Sequence, residues 1–270
     1  MHLLAIELKC MRHDVLVNYC EKDCDFIIGM THTQFGEIEY WTKMYPEIPL
    51  ITFNWDWYDY IDKTKEGWDM FTEQMKRSVE VWTSSKAMAD KCEKDTGIKS
   101  NHYMYAFITP EEFEGKKNDY EYLMQASRED KNKRFDWLYK ACLELKIPFK
   151  AFHPGKNGRE EYARAVMNCS VMVSSAREES IGGLTLMEAS YCGKPILTGD
   201  HEGAKEVWGD DANYFKVDDY EDYKKQLKWI WENRNTKEVQ DKVKRAKKRV
   251  EEKFFVKNMA TLIDNRLQAL

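Results

Sequence analysis

The 270-residue sequence has no run of about 18 apolar residues, so no helix spanning a membrane is expected. Its first ten residues hold an apolar stretch that Glu7 and Lys9 interrupt. They have neither the basic start nor the small-residue cleavage site of a leader, and are read as part of the fold. The seven cysteines are odd in number and follow no regular spacing, which predicts reduced thiols in a cytoplasmic setting rather than a disulfide framework. Cys20 and Cys24 are the closest pair, and without a second pair they are a weak zinc signal, so no metal site is expected. There is no basic excess: 42 Lys and Arg face 47 Asp and Glu. The net charge of -5 argues against wholesale binding to nucleic acid or to an anionic membrane. Internal repeats and low-complexity segments are also missing.

What is present is a soluble, globular balance of 43% hydrophobic and 33% charged residues, long enough for about two domains. Short apolar runs alternate with helical patterns from end to end. Strands are predicted at residues 14–18, 25–30, 49–53, 79–83 and 101–105, then at 120–125, 149–152, 170–174, 194–197 and 212–215. Helices are predicted between them at 37–44, 68–77, 86–94, 133–145, 159–167 and 184–192, and across most of 220–270. Such alternation is the pattern of parallel sheets covered by helices on both faces. The polar stretch 109–119, with Pro110 and Gly115, serves as the linker. The reading is therefore an α/β chain of two Rossmann-like, doubly wound domains, residues 1–110 and 111–270, facing a cleft. In such folds ligands sit beyond the carboxyl ends of strands.

One region departs from the acidic average. Between residues 237 and 253 lie Lys242, Lys244, Arg245, Lys247, Lys248 and Arg249. Val239, Val243, Ala246, Val250 and Phe254 recur there at helical spacing, one buried stripe with basic residues around it. A solvated face is the bland explanation; a docking patch that tracks phosphates is the sharper one.

The most informative segment is 171–193, VMVSSAREESIGGLTLMEASYCG. An apolar strand feeds a polar loop, two glycines and then a helix closed by Gly193 and Pro195. Gly182 and Gly183 stand where the helix begins, so its first free amides and its dipole favour a phosphate or diphosphate. Leu184, Met187 and Tyr191 follow helical spacing as core positions, and Glu188 lies about one turn in, within reach of a ribose hydroxyl. Alone, a Gly-Gly pair before a helix more often reflects tight packing of strand on helix.

The string GGLTLMEASYCGKPIL, followed by Gly203 and Glu206, resembles the donor-site signature of retaining GT-B glycosyltransferases, the group 1 or family 4-like enzymes. Arg128 and Lys133, in YLMQASREDKNKRFDWLYKA, keep the spacing of that family's donor-phosphate cations. The resemblance implies transfer of a sugar from a nucleoside-diphosphate sugar to an acceptor hydroxyl with retention at the anomeric carbon, a hexosyltransferase-type reaction. The donor is a co-substrate, and no cofactor and no metal are implied. The acceptor is open: carbohydrate, lipid-linked, small molecule or nucleic acid. The donor-binding set implied is Arg128, Lys133, Gly182, Gly183, Leu184, Thr185 and Glu188. Ser180 occupies the position where the family places a carboxylate on the donor sugar, and Glu179, or else Glu178, is expected to supply that group. Glu179, Ser180 and Glu188 thus form the expected catalytic set. His32, Trp55 and Asp56 are expected on the acceptor or sugar side, Trp55 and Asp56 where the family often has a histidine. Ala106-Phe107 replaces the usual Asn-Gly before the linker, and the family's first strand has no room ahead of Met1, which implies a shortened N-terminal domain. A non-catalytic nucleotide-sugar binding protein and a DNA-modifying glycosyltransferase are the alternatives. A cytoplasmic location, with attachment to a membrane surface left open, completes the expectation.

Overall fold

A computed structural model describes residues 7–11, 13–16, 20–30, 35–54, 65–104, 106–115, 121–127, 131–153, 158–179 and 182–270. The chain forms two compact units, Met1–Ala106 with Met259–Leu270, and Phe107–Asn258. The sequence reading instead divides the chain at residue 110 and runs the second domain to the C-terminus. No helix among the described residues is long and apolar enough to cross a membrane.

In the first unit the described order is β1 (Ile27–Met30), α1 (Phe35–Met44), β2 (Leu50–Asn54), α2 (Lys65–Arg77), β3 (Glu80–Thr83), α3 (Lys86–Thr96) and β4 (His102–Tyr103). The strands pair in that order and all in parallel, with Ile27 opposite Leu50 and Ile51 opposite Glu80. Every residue of β2 is buried, as a strand covered on both faces requires. Its Thr52 hydroxyl is held by Ser78 Oγ at 2.7 Å and by Gln74 Nε2 at 3.1 Å, so a polar residue at the sheet centre is satisfied. Helix α3 starts where Ser85 Oγ accepts the Met88 N–H at 3.0 Å and stops at Gly97, whose φ of 74° suits glycine. Between them Phe71, Met75, Val81, Met88 and Cys92 pack as a core.

The strand expected at 14–18 is not formed over residues 14–16; residues 17–19 lie outside the described residues. Residues 7–10 are helical, and the Met11 and His13 amides both return to Leu8 O at 3.0 and 3.1 Å, so the chain turns just ahead of that segment. The unit is closed by its last twelve residues. Glu80, 4% exposed, accepts the Trp82 indole N–H at 2.8 Å and the Arg266 Nε–H at 2.9 Å, and a second Arg266 nitrogen bonds its other oxygen. One carboxylate thereby ties strand β3 to the C-terminal helix.

The second unit contains β5 (Leu123–Ala126), α4 (Phe135–Leu145), β6 (Phe149–Phe152), α5 (Arg159–Asn168), β7 (Val171–Val173), α6 (Leu184–Tyr191), β8 (Ile196–Gly199), α7 (Glu202–Trp208), β9 (Asn213–Phe215), α8 (Tyr220–Asn233) and α9 (Lys237–Lys253), and α10 (Val256–Leu267) follows. Its strands are parallel in the order β6-β5-β7-β8-β9. Leu123, Leu138, Val171, Val173, Leu197, Phe215 and Leu227 form the apolar centre. The expected linker is partly built into this unit: residues 110–113 form a 3-10 turn, Phe113 is buried, and Glu112 bonds Arg159 at 2.6 Å.

The basic helix α9 buries Val239, Val243, Ala246 and Val250, the predicted stripe. Its cations are largely engaged within the unit. Arg245 and Arg249 bond Asp211 at 2.7 and 2.8 Å, Lys242 bonds Asn213 Oδ1 at 3.1 Å, and Lys247 and Lys248 lie 3.8 and 3.6 Å from Glu251 and Glu252. Arg245 and Lys248 nevertheless stay 53% and 73% exposed, as the solvated-face explanation has it. The nearly enclosed Asp211 carboxyl sits below its ordinary range: burial pushes it up, and the Arg245 and Arg249 hydrogen bonds outweigh that push.

Glu80→Leu should lower stability by about 1–3 kcal/mol, because the enclosed Trp82 N–H is left without an acceptor. Urea denaturation followed by tryptophan fluorescence measures it; an unchanged midpoint would show that water replaces the carboxylate.

Candidate functional site

In the second sheet, β5 and β7 are neighbours, yet the chain leaves them in opposite directions: β5 is followed by β6 on one side, and β7 by β8 on the other. The loops after the two strands therefore leave their carboxyl ends towards opposite sides of the sheet, and such a switch point is where doubly wound sheets take ligands.

Those two loops are held together by buried polar groups. Gln125, 2% exposed in β5, donates Nε2–H to Lys133 O at 2.7 Å, and its Oε1 accepts from Ser175 Oγ at 2.7 Å and Ser175 N at 3.3 Å. Ser175 Oγ also lies 2.8 and 3.0 Å from the Lys133 and Arg134 carbonyls. Nearer the surface, Asn132 Nδ2 donates to Glu178 O at 3.0 Å, its Oδ1 accepts from Glu178 N at 2.9 Å, and its carbonyl accepts from Arg177 N at 2.8 Å. Arg134 sits at φ 45° to make the turn into α4.

This stitching brings Lys133 and Glu179 into contact. Lys133 Nζ lies 2.5 Å from Glu179 Oε1, both side chains mostly shielded at 15% and 13% exposure. Ser174 Oγ approaches the same oxygen at 3.4 Å. Gly182 and Gly183 follow with φ of 71° and 84°, angles that disfavour any residue with a Cβ. A Cβ on Gly182 would also stand 2.7 Å from Val207 Cβ, and the Gly182 carbonyl accepts the Trp208 indole N–H at 2.8 Å. The glycine pair thus does two things: it lets the loop close on α7 and it aims the start of α6. The Leu186 and Met187 amides both return to Gly183 O, at 3.0 and 3.2 Å, so the Leu184 and Thr185 amides precede the helix ladder. Leu184, expected in the core, is 37% exposed at the first position of the helix, whereas Met187 one turn on is fully buried.

Glu188 occupies a different setting from the ribose contact expected of it. It is 1% exposed; Arg159 Nη2 donates to its Oε1 at 2.6 Å and the Tyr162 hydroxyl donates to its Oε2. Arg159 also bridges to Glu112 through Nε at 2.6 Å. Burial raises the Glu188 carboxyl above its ordinary value, opposed by Arg159 and Tyr162, and burial with the adjacent carboxylate raises the Tyr162 phenol.

Of the residues expected at the site, the structure brings Lys133, Glu179, Gly182, Gly183, Leu184 and Thr185 to the loops beyond β5 and β7. Arg128, Ser180, His32, Trp55 and Asp56 lie outside the described residues. The sequence reading missed Gln125, Asn132 and Ser175, which position the loops, and His201, which caps α7 beyond β8. Gln125 carried a legible signal, an amide inside the apolar run LMQA, since a buried amide must have fixed partners.

Residues 130–249 match the family Glycosyl transferases group 1, so the second unit carries a domain of that kind. Among curated proteins, no relative matches the sequence. Several solved structures share the fold. Sucrose-phosphate synthase from Thermosynechococcus elongatus superposes with a TM-score of 0.77 at 11% identity, over 91% of this chain and 73% of its own. HepE from Anabaena, solved in complex with UDP-glucose, gives 0.74 at 13% identity, over 99% and 82%. A glycosyltransferase from Rickettsia africae gives 0.70 at 11%, over 99% and 81%. The chain therefore has the α/β GT-B fold.

Gly182→Ala should destabilise the protein by about 1–3 kcal/mol through overpacking against Val207 and the unfavourable φ. Adding Val207→Ala should relieve part of the overpacking but not the backbone cost. Chemical denaturation of the single and double variants separates the two, and a single variant as stable as the parent would contradict this account of the glycine.

Proposed function

We propose that this chain is a glycosyltransferase that moves a sugar from a nucleoside-diphosphate sugar to an acceptor hydroxyl, with retention of anomeric configuration and without a metal ion. The observation that carries the reading is the stitched pair of loops at the switch point, which sets the Lys133 ammonium against Glu179, three residues ahead of the glycine pair that leads into α6. The Glycosyl transferases group 1 domain supports it, as does a fold shared with a protein solved with UDP-glucose.

In this reading the donor diphosphate lies across Lys133 and the amides of Leu184 and Thr185, with Arg128 as a second cation. As the bond from the anomeric carbon to the phosphate oxygen breaks, charge grows on the leaving diphosphate, and fixed cations and amides stabilise it there. The acceptor oxygen bonds the anomeric carbon from the same face, and its proton passes to an oxygen of the leaving phosphate. No separate general base is needed, and the protein's task is positioning and charge stabilisation. Glu179 is the carboxylate proposed for the donor sugar in place of Ser180, and His32, Trp55 and Asp56 are proposed on the acceptor or sugar side. Glu188, 1% exposed and held by Arg159 and Tyr162, would have to become accessible to accept from a ribose hydroxyl.

The serine at position 180 favours a second reading, a nucleotide-sugar binding protein without transferase activity. Release of sugar from the bound donor, to acceptor or to water, separates the two.

Three outcomes test the proposal. A panel of nucleotide sugars should contain at least one that raises the melting temperature, since a ligand of the native state alone must stabilise it. Lys133→Ala should weaken UDP or GDP binding by about 1.5–3 kcal/mol in titration calorimetry, the worth of one charge-assisted contact; unchanged affinity removes Lys133 from the site. Transfer should persist in EDTA, and a rate abolished by EDTA and restored by magnesium or manganese would overturn the metal-free mechanism.

A further inference from the structure

His201 lies beyond β8, the strand next to β7, and caps α7: its Nδ1 accepts the Ala204 N–H at 3.2 Å. An accepting Nδ1 carries no proton, so the neutral ring bears its proton on Nε2. That Nε2 is enclosed and has no hydrogen-bond partner. The ring lies close to Gly199, where a Cβ would stand 3.1 Å from its Cδ2. An enclosed donor without an acceptor is costly unless another state of the molecule uses it.

The surrounding charges identify that state. Burial holds the imidazole below its ordinary value, and the charges acting on it are, in order, Glu179, Lys133, Asp200 and Lys205. Asp200 and Lys205 lie 3.6 Å apart as a pair, and Asp200 also accepts the Val217 N–H at 3.0 Å. Glu179 and Lys133 form the other pair, and the described bonds to Glu179 both fall on Oε1. A diphosphate bound at Lys133 would bring negative charge against the Glu179 carboxylate, and like charges at that distance repel strongly in a shielded site. Once displaced, the mostly enclosed carboxylate needs a new donor.

We infer that His201 is a positioning residue of the donor site, whose Nε2–H receives the Glu179 carboxylate when a diphosphate takes over Lys133. This rests on the donor-site reading above. Glu179 then acts as the resting counter-ion of Lys133, and the exchange leaves neither group unpaired. It also holds the displaced carboxylate at a fixed place beside the incoming donor.

His201→Asn is the discriminating variant, since the Asn oxygen can replace Nδ1 as the cap of α7 while the Nε2 donor is lost. Titration calorimetry with UDP and GDP is run on the parent, His201→Asn, Glu179→Gln and the double variant. His201→Asn should weaken nucleoside diphosphate about tenfold with an unchanged melting temperature, a loss within the range of one charge-assisted bond. Glu179→Gln should tighten binding by freeing Lys133, and in that background His201→Asn should have no effect. His201→Gln, which keeps an amide donor towards the Nε2 position, should bind UDP like the parent even if it melts lower. Equal losses for His201→Asn with and without Glu179, or no loss at all, would overturn the inference while leaving the donor site standing. A parent chain that binds neither UDP nor GDP overturns the donor site and the inference with it.

Discussion

The buried amide of Gln125 imposes the constraint on which the second unit's site depends. It sits in strand β5, 2% exposed, where an unpaired amide would cost several times a typical hydrogen bond. Its partners are not in the sheet but in the two loops that leave it, the Lys133 carbonyl on one side and Ser175 on the other. Satisfying Gln125 therefore fixes the backbone of both loops at once. Ser175 extends the arrangement to Arg134 O, and Asn132 repeats it nearer the surface. The connections leave β5 and β7 towards opposite sides of the sheet, and this network gives the two loops a defined spacing.

Within that frame the site's charges rest against each other. Lys133 is neutralised by Glu179, so a cation suited to a phosphate is stored as an ion pair. A shielded pair of this kind adds little net stability, because desolvation offsets the attraction. Its consequence is chemical: any anion entering the site competes with a carboxylate already in place. Glu188, by contrast, is enclosed by Arg159 and Tyr162 and helps join α6 to α5. Two acidic residues nine positions apart thus sit in unlike environments, one in the loop beyond β7 and one inside the unit.

The glycine pair shows how one feature serves packing and chemistry together. Gly182 lets the loop approach Val207 where a Cβ would collide, and Gly183 turns the chain into α6. Choosing between a packing role and a ligand role is unnecessary, because the close approach is what sets the direction of the first helical amides.

Hydrophobic spacing and β-branched runs were enough to mark most of the strands and helices, since burial on a sheet or a helix face repeats every two or every 3.6 residues in the sequence itself. The stripe Val239, Val243, Ala246 and Val250 is the clearest case, buried as its spacing requires. The same local logic put a strand at residues 14–16 and Leu184 in the core, because strand pairing and the exposure of a helix start depend on what lies beyond the segment. The sequence by itself determined the α/β alternation, the glycine-led helix and the presence of Lys133 and Glu179 in polar loops. Only the tertiary structure decided that β5 and β7 are neighbours, that Gln125 and Ser175 bind their loops together, and that Lys133 meets Glu179. Those pairings join residues tens of positions apart, and their energies arise from burial and shared hydrogen bonds, which no local run of residues encodes.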